Sequence, residues 1–384
     1  MKHFRQLLAA SLCVLLLAAC GGSAGSPASG SAQTGGPASP AGDSQSKWND
    51  LVAAAKKEGT LTLAIGPGGG PTARQALPPA FKQDFGIDIQ VLVASAPELV
   101  NRAKLEQSAG QHTVDALLLG ADSMYGNFYG EHLIEPMRPL LINPEALNPS
   151  SWSVGKPWFM DPEDQYVLRV SNGLSGFTTV NTDFMNPNDA TTWQDFLKPQ
   201  FKGKIVTYDP TINGPGGQHA AFVDYRLGDD FFKQLYQGQQ VTRTQDTNQF
   251  SDWLAHGKYP VAMAMPAASV ESLKKDGLPV QVVTLKENPG YLTAGSGLLG
   301  IFNSPPHPNA AAVFANWMAM DRGQTVWNQS QGYVAARTTL TNDWVPDYVR
   351  LKPGADYLDT YAWDYVEKIY PATLKKICDM LGTA

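Results

Sequence analysis

The feature that most constrains the fold is a regular alternation of short apolar runs with helical stretches in the first third of the chain. The apolar runs are residues 60–65, 87–93 and 113–119. The helical stretches between them are residues 72–85, which Pro78 and Pro79 are expected to kink or restart, and a segment capped by Ser95 with Pro97 in its first turn. This β-α-β-α-β order predicts an α/β sheet whose ligand loops lie at the carboxyl ends of the strands.

The middle of the chain repeats this pattern. It predicts strands over residues 204–208, 259–265 and 280–285, helices over residues 193–197 and 218–227, and a Pro/Gly-rich loop over residues 209–217. Extended segments at residues 176–181 and 297–302 connect the two halves. Two such connectors are what a two-lobed body with chain crossovers needs.

The first 46 residues predict export and tethering. Lys2 and Arg5 precede 13 uncharged, mostly apolar residues, 7–19, which are too few for a membrane span of about 20 residues. Residues 1–19 therefore predict a signal peptide. The sequence ending at Cys20 resembles a lipoprotein box, in which that cysteine is lipidated; the alternative is an ordinary export signal with an incidental cysteine. Residues 21–46 are rich in Gly and Ser and predict a disordered tether.

Charge and cysteine usage exclude several classes. The 384-residue chain has a net charge of −6 and a sequence pI near 5.5, so it has no general electrostatic attraction to nucleic acid. Its length predicts about two domains. Three cysteines are too few for a disulfide framework, and only Cys378 remains in the predicted folded body.

Several short motifs occur in an order that supports a family resemblance. They are residues 51–59, 114–117, 193–196, 201–205, 253–262, 309–318 and 331–337. With the lipoprotein leader, these motifs resemble those of bacterial extracellular solute-binding proteins of ABC importers. More narrowly, the chain resembles the ferric-binding branch of the type 2 periplasmic-binding fold.

The resemblance implies a fold and a function. It implies a two-lobed α/β type 2 periplasmic-binding-protein-like fold, with crossover strands between lobes and a ligand cleft. One lobe would comprise residues 47–170 and 286–338, and the other residues 171–285 and 339–384. The sequence gives no signal for oligomerisation, so we expect a monomer, and it predicts no cofactor. The lipoprotein box at Cys20 predicts a lipid anchor on the outer face of the bacterial cell membrane, periplasmic or extracellular. The protein would deliver a small solute to an ABC permease and its ATPase.

Three loops of the first lobe are expected to face the cleft. The Gly-rich loop before the second helix exposes N–H groups that suit an anion, although it could be a plain turn. Arg74 could bind a carboxylate or phosphoryl group, or lie on the surface. Asp122 could contact ligand or cap a helix. The ligand-binding candidates in these loops are Gly68, Gly69, Gly70, Thr72, Arg74, Ser95, Ala96, Asp122 and Ser123.

The second lobe offers the best candidate loop, in which a strand ending in tyrosine leads through glycines into a helix. Its candidate ligand-binding residues are Tyr208, Asn213, Gly214, Gly216, Gly217 and Gln218. Tyr208, Met265 and Tyr291 could pack the apolar part of the solute, or each could belong to the core. Asp209 fits better as a turn residue before Pro210.

The chain departs from the ferric pattern of adjacent tyrosines. In ferric-binding relatives these follow the strand that matches residues 259–265, whereas residues 265–270 here contain no tyrosine. Those relatives also carry an arginine in the first crossover that holds an anion beside the metal. In this chain the arginine near that position is Arg169. An organic anion (carboxylate, phosphonate or phosphate ester) therefore fits the predicted cleft better than a directly bound metal. Ferric iron or an iron chelate remains the alternative.

An enzyme is the rival class, as a secreted hydrolase. The chain has neither G-x-S-x-G nor H-E-x-x-H, and its histidines are scattered singly. Asp161, Glu163 and Asp164 read as a solvated turn rather than a catalytic carboxylate pair. The sequence therefore predicts a binding protein with no catalytic residues.

Overall fold

A computed structural model describes residues 40–67, 69–287, 289–352 and 354–382. The predicted signal peptide, Cys20, most of the predicted tether and Gly68 lie outside these residues. Within them, no helix is long and apolar enough to cross a membrane.

Strands and helices alternate along most of the described chain. The strands are β1 Thr60–Ile65, β2 Asp88–Val93, β3 Ala116–Leu119, β4 Ile134–Glu135, β5 Leu168–Arg169, β6 Gly173–Ser175, β7 Thr178–Asn181, β8 Ile205–Tyr208, β9 Thr242–Thr244, β10 Val261–Met263, β11 Val280–Val282, β12 Tyr291–Thr293, β13 Leu298–Phe302 and β14 Leu358–Asp359. The helices are α1 Pro40–Glu58, α2 Gly70–Phe85, α3 Ala96–Ser108, α4 Ala121–Ser123, α5 Pro144–Leu147, α6 Pro215–Leu227, α7 Asp229–Lys233, α8 Thr247–Ala255, α9 Ala267–Lys275, α10 Pro308–Ala319, α11 Asp321–Gln331 and α12 Tyr370–Leu381. Short 3-10 and π-helical turns join several of them.

The first sheet has the strand order β2-β1-β3-β13-β4, with β5 also paired to β13. Strand β1 runs parallel to β2 and β3, whereas β13 is antiparallel to β3. The side chains of Leu61, Leu63 and Ile65 are fully buried in its core, together with those of Phe81 and Trp317. Burial of large apolar side chains at alternating strand positions holds the helices on this sheet.

The second sheet has the order β11-β7-β10-β8-β9. Strand β8 runs parallel to β9 and β10, and β7 is antiparallel to β10 and β11. An aromatic cluster packs beside it; its buried members include Trp193, Phe196, Phe201 and Phe222.

A third, small sheet links the other two and has the order β14-β12-β6. Strand β6 carries the chain from the first sheet to the second, and β12 carries it back. Gly176 follows β6 with φ of +81°, and a Cβ there would lie 2.5 Å from Cε1 of Tyr291. A glycine is therefore needed where the two crossovers touch. Strand β14 adds the C-terminal segment to the same sheet, parallel to β12.

The predicted connectors at residues 176–181 and 297–302 lie mostly in β7 and β13 of the two larger sheets, and β6 and β12 make the crossovers instead. Three helices also differ from the sequence prediction. Helix α1 begins at Pro40, so residues 40–46 are helical rather than part of the tether. Helix α2 runs without interruption through Pro78 and Pro79, because Leu77 and Phe81 on its inner face are fully buried in the core and packing overrides local propensity. Helix α6 begins at Pro215 rather than at residue 218, since proline is favoured in a first turn.

Candidate functional site

The loops that follow β3 and β8 meet the C-terminal helices at a pocket of 440 Å³. Asp122 comes from the short helix α4 directly after β3, and Asn213 from the loop after β8. The remaining lining residues lie on the C-terminal π-helical turn Tyr365–Ile369 and on α12: Val366, Glu367, Tyr370, Pro371, Leu374, Lys375 and Cys378. Two predicted site residues from different sheets are thereby brought to one cavity.

A second pocket of 270 Å³ surrounds the start of α6. Asn213 lines both pockets. The other lining residues are Tyr208, Asp209, Ile212, Gly214, Pro215, Gly216, Thr244, Gln245, Thr247, Pro266 and Ser269. Apart from Asp209, this lining is uncharged, and its polar groups are hydroxyls, amides and backbone.

Asp122 is the unusual charge of the first pocket. It is partly buried and has no hydrogen bond or ion pair with any residue that the structure describes. Burial, and then the nearby Glu367 carboxylate, raise its pKa above the ordinary aspartate value. Lys375, the cation of this lining, forms its ion pair with Asp379 at 2.7 Å.

Two tyrosines lie beside Asp122 in the same region. The side chains of Tyr365 and Tyr370 are 97% and 96% buried, and neither hydroxyl forms a hydrogen bond of normal geometry within the described residues. Burial raises the pKa of both, with the Asp122 charge contributing, although the Gly214 backbone opposes the rise at Tyr370. Both phenols are therefore neutral near pH 7.

The glycines at the start of α6 serve packing. A Cβ on Gly216 would lie 2.4 Å from the Asp209 carbonyl oxygen, and one on Gly217 would lie 2.3 Å from that of Ile212. Both residues are buried, so the close approach of the 209–214 loop explains why neither position carries a side chain; contact of their backbone with a ligand stays a prediction. Gln218 is partly buried, and its N–H donates to the Gly214 carbonyl at 2.9 Å.

Asp209 is held within its own turn. Its carboxylate accepts hydrogen bonds from the N–H and Oγ1 of Thr211 at 3.0 and 2.7 Å, and from Nε2 of Gln245 at 3.0 Å. Burial opposes ionisation here, but these hydrogen bonds outweigh it and lower the pKa. The turn reading of Asp209 agrees with this geometry.

Among the described residues, the other predicted loops of the first half do not line either pocket. Thr72 binds Gln331 of α11, whose Nε2 donates to its Oγ1 at 2.8 Å, and Gly69 is buried beside the same side chain. Gly70 begins α2 in this loop. Arg74 is exposed, which fits its surface reading.

Ser95, Ala96 and Ser123 are partly buried and also lie outside both pockets. Ser95 forms a capping box with Glu98, which accounts for its hydroxyl.

The predicted apolar contacts lie mostly in the core. Tyr208 is 9% exposed, lines the second pocket and packs against Phe250 with ring centroids 4.3 Å apart. Met265 and Tyr291 are 0% and 1% exposed. In this conformation Met265 and Tyr291 therefore lie in the core and line neither pocket, which fits the core alternative.

Sequence reasoning missed the C-terminal lining. Glu367, Tyr370 and Cys378 belong to a helical stretch that carries no recognisable motif. The available signal was its helical spacing of aromatic and apolar residues, which fits an ordinary core helix equally well. Within the described residues, no group of three or more His, Cys, Asp or Glu side chains is placed to hold a metal ion.

Arg169 lies at the entrance to the first crossover and is fully buried. Its Nη1 donates to both oxygens of Asp359, at 3.0 and 2.7 Å, its Nη2 to Oδ1 of Asn172 at 2.7 Å, and its Nε to the Ser171 carbonyl at 3.0 Å. Its guanidinium carbon also lies 4.5 Å from the Trp158 ring centroid. The positive charge of Arg169 is thus satisfied within the chain, by the strand that the C-terminal segment adds to the crossovers.

Comparison with solved structures identifies the fold. The structure of FutA (IdiA) from Trichodesmium, in complex with iron and citrate, superposes with a TM-score of 0.63 at 15% identity, covering 85% of this chain and 100% of that one. AfuA from Actinobacillus pleuropneumoniae, with exogenous fructose-6-phosphate bound, gives 0.61 at 18% identity over 85% and 99%. Iron-bound HitA from Pseudomonas aeruginosa gives 0.55 at 16% identity over 84% and 97%. The predicted fold class is confirmed: this is the two-lobed α/β type 2 periplasmic-binding fold.

The sequence supports the same class independently. The model of the family "Bacterial extracellular solute-binding protein" matches residues 77–353 of this sequence. The chain belongs to that family and is a solute-binding component of an ABC importer. No curated protein matches the chain by sequence.

Proposed function

We propose that the chain captures a small organic solute with an anionic group in the two adjoining pockets that share Asn213. The observation that carries this proposal is the start of α6. Its first turn opens into the pocket of 270 Å³, whose lining offers hydroxyls and amides from Asn213, Gln245, Thr247 and Ser269. Free N–H groups at a helix start favour negative charge. A carboxylate, a phosphonate or a phosphate ester has the required chemistry.

The lobes assigned by sequence supply the capture mechanism. We propose that residues 47–170 and 286–338 close against residues 171–285 and 339–384 over the solute. Closure would remove water between the Asp122 loop and the Asn213 loop, which strengthens the charge–dipole contacts. The closed form would then be recognised by the permease.

The location of the protein follows from its leader. We propose cleavage before Cys20, lipidation of that cysteine and retention of a monomer on the outer face of the cell membrane. The protein acts as a carrier and catalyses no reaction. Metabolic labelling with a fatty acid should mark the wild-type chain and leave a Cys20→Ala chain unmarked; equal labelling of both would contradict the anchor.

A thermal-shift screen of carboxylates, phosphonates, phosphate esters and iron(III) salts tests the ligand class. A solute at 100 times its Kd stabilises the protein by about 2.7 kcal/mol. The exposed Asn213, replaced by Ala, should weaken the response to an anionic hit. Asn101→Ala is the matched control, since Asn101 is equally exposed on α3 and lines neither pocket.

Two results would overturn the anion proposal. One is stabilisation by no anion in the screen. The other is a visible charge-transfer band with iron(III) that is lost in Tyr370→Phe, because that band would identify a phenolate-bound ferric ion instead. FutA and HitA, which resemble this chain in fold, have iron bound in their structures. Iron(III) is therefore the alternative ligand that the screen includes.

A further inference from the structure

The first pocket carries negative charge that the anion proposal does not use. Asp122 and Glu367 both line it, and neither forms an ion pair with any residue that the structure describes. The ion pairs of the nearby cations are made elsewhere: Lys375 with Asp379, and Lys368 with Asp364 at 2.6 Å. Asp122 is partly buried and Glu367 is exposed. A partly buried carboxylate without a partner favours a positive group bound beside it.

The buried hydroxyl of Tyr370 is a second observation that favours a positively charged group in this pocket. Tyr370 lines the pocket and is 96% buried, and its buried hydroxyl lacks a hydrogen-bond partner of normal geometry. An ammonium group has three N–H donors. Asp122, Tyr370 and Asn213 line one cavity, and each side chain carries an acceptor oxygen.

The rest of the lining favours an organic cation over a bare ion. Val366, Pro371 and Leu374 give the pocket an apolar wall, and its volume of 440 Å³ accommodates a small carbon skeleton. Asn213 joins this pocket to the one at the start of α6. One solute can therefore place unlike ends in the two pockets.

We propose that the solute is zwitterionic, with a protonated amine received by Asp122, supported by Glu367, and its anionic group at the start of α6. This inference rests on the proposed function and deepens it. It narrows the solute class to amino-carboxylates, amino-phosphonates and phosphorylated amino-alcohols. Asp122 is then the residue that selects these over simple anions.

Matched solute pairs test the proposal by calorimetry on the purified protein. The pairs are phosphoethanolamine with ethyl phosphate, and β-alanine with propionate; ethylamine serves as the amine alone. We expect wild type to bind the amine-bearing member of a pair about tenfold more tightly or better, as for a charged hydrogen-bonded contact. Asp122→Asn, which keeps the shape of the side chain, should bring the two members within about twofold of each other. Glu367→Gln should reduce the preference partly.

Asp252→Asn is the matched control. Asp252 is an exposed aspartate on α8 that lines neither pocket, so this variant should keep the wild-type preference. Equal affinity for both members of each pair in wild type would overturn the zwitterion and leave the anion proposal standing. A preference that persists in Asp122→Asn would overturn the role of Asp122.

The remaining outcomes separate the two proposals. Ethylamine could bind in a way that depends on Asp122 and as tightly as the solutes that also carry an anionic group. That result would support the amine site and overturn the proposal that the solute has an anionic group. Absence of binding by both pairs and by ethylamine would overturn both.

Discussion

The ion pair between Arg169 and Asp359 offers a quantitative test of how the C-terminal segment is held. The change is Asp359→Asn, which removes the negative charge and keeps one acceptor oxygen. Arg169 is fully buried, whereas the Asp359 side chain is 23% exposed. Removing one partner of a fully buried pair costs about 3–5 kcal/mol. Because water reaches Asp359, we expect a smaller loss of about 2 kcal/mol.

This loss converts into a measurable shift of the melting temperature. Unfolding entropy of about 2.1 cal/mol/K per residue over roughly 340 folded residues gives about 0.7 kcal/mol/K. A loss of 2 kcal/mol then lowers the Tm by about 3 °C, measured by circular dichroism or calorimetry.

A neighbouring pair supplies the control for this variant. Asp356 also binds an arginine, Arg226, at 2.9 Å, but its side chain is 83% exposed. Asp356→Asn should therefore leave the Tm unchanged. A Tm for Asp359→Asn within about 1 °C of wild type, or an equal drop in both variants, would refute the reasoning from burial.

Two further predictions concern Gly176 at the crossover and His219 in α6. Gly176→Ala should lower the free energy of unfolding more than Gly277→Ala in urea denaturation. Both have φ near +80°, but only Gly176 would bring its Cβ onto Tyr291, adding about 1–3 kcal/mol of overpacking; equal losses would contradict this. Burial lowers the pKa of His219 from 6.5 to about 3, so its contribution to stability is complete above about pH 6.5 and falls as the pH drops towards 3. Between about pH 8 and pH 5, the free energy of unfolding should fall by about 2 kcal/mol because of His219. This dependence of the unfolding free energy on pH should vanish in His219→Phe. An unchanged dependence would show that other groups cause it.

The sequence predicts the fold where a local pattern decides the structure. Residues 60–65 form β1 with the predicted bounds, because an apolar run between two glycines can form a strand but is too short for a helix. The helix cap at Ser95 is likewise local chemistry. The predicted start of α6 is wrong by three residues, although the preference of proline for a first turn is also local and marks Pro215.

The candidate site was predictable only in part, for a similar reason. Asp122 and Asn213 follow strands, so their position at strand ends is a property of the pattern. Glu367 and Tyr370 reach the same pocket from the far end of the chain, and no local signal links them to it. The partner of Arg169 is 190 residues away, so the sequence alone could not show that this charge is neutralised internally.

The most direct test of the account is the structure of the protein with the solute that stabilises it most. The account predicts that the solute lies between Asp122 and Asn213, with a positive group on the Asp122 carboxylate and an anionic group at the first turn of α6. A solute bound outside both pockets would contradict the account. So would a bound solute that makes no contact with Asn213.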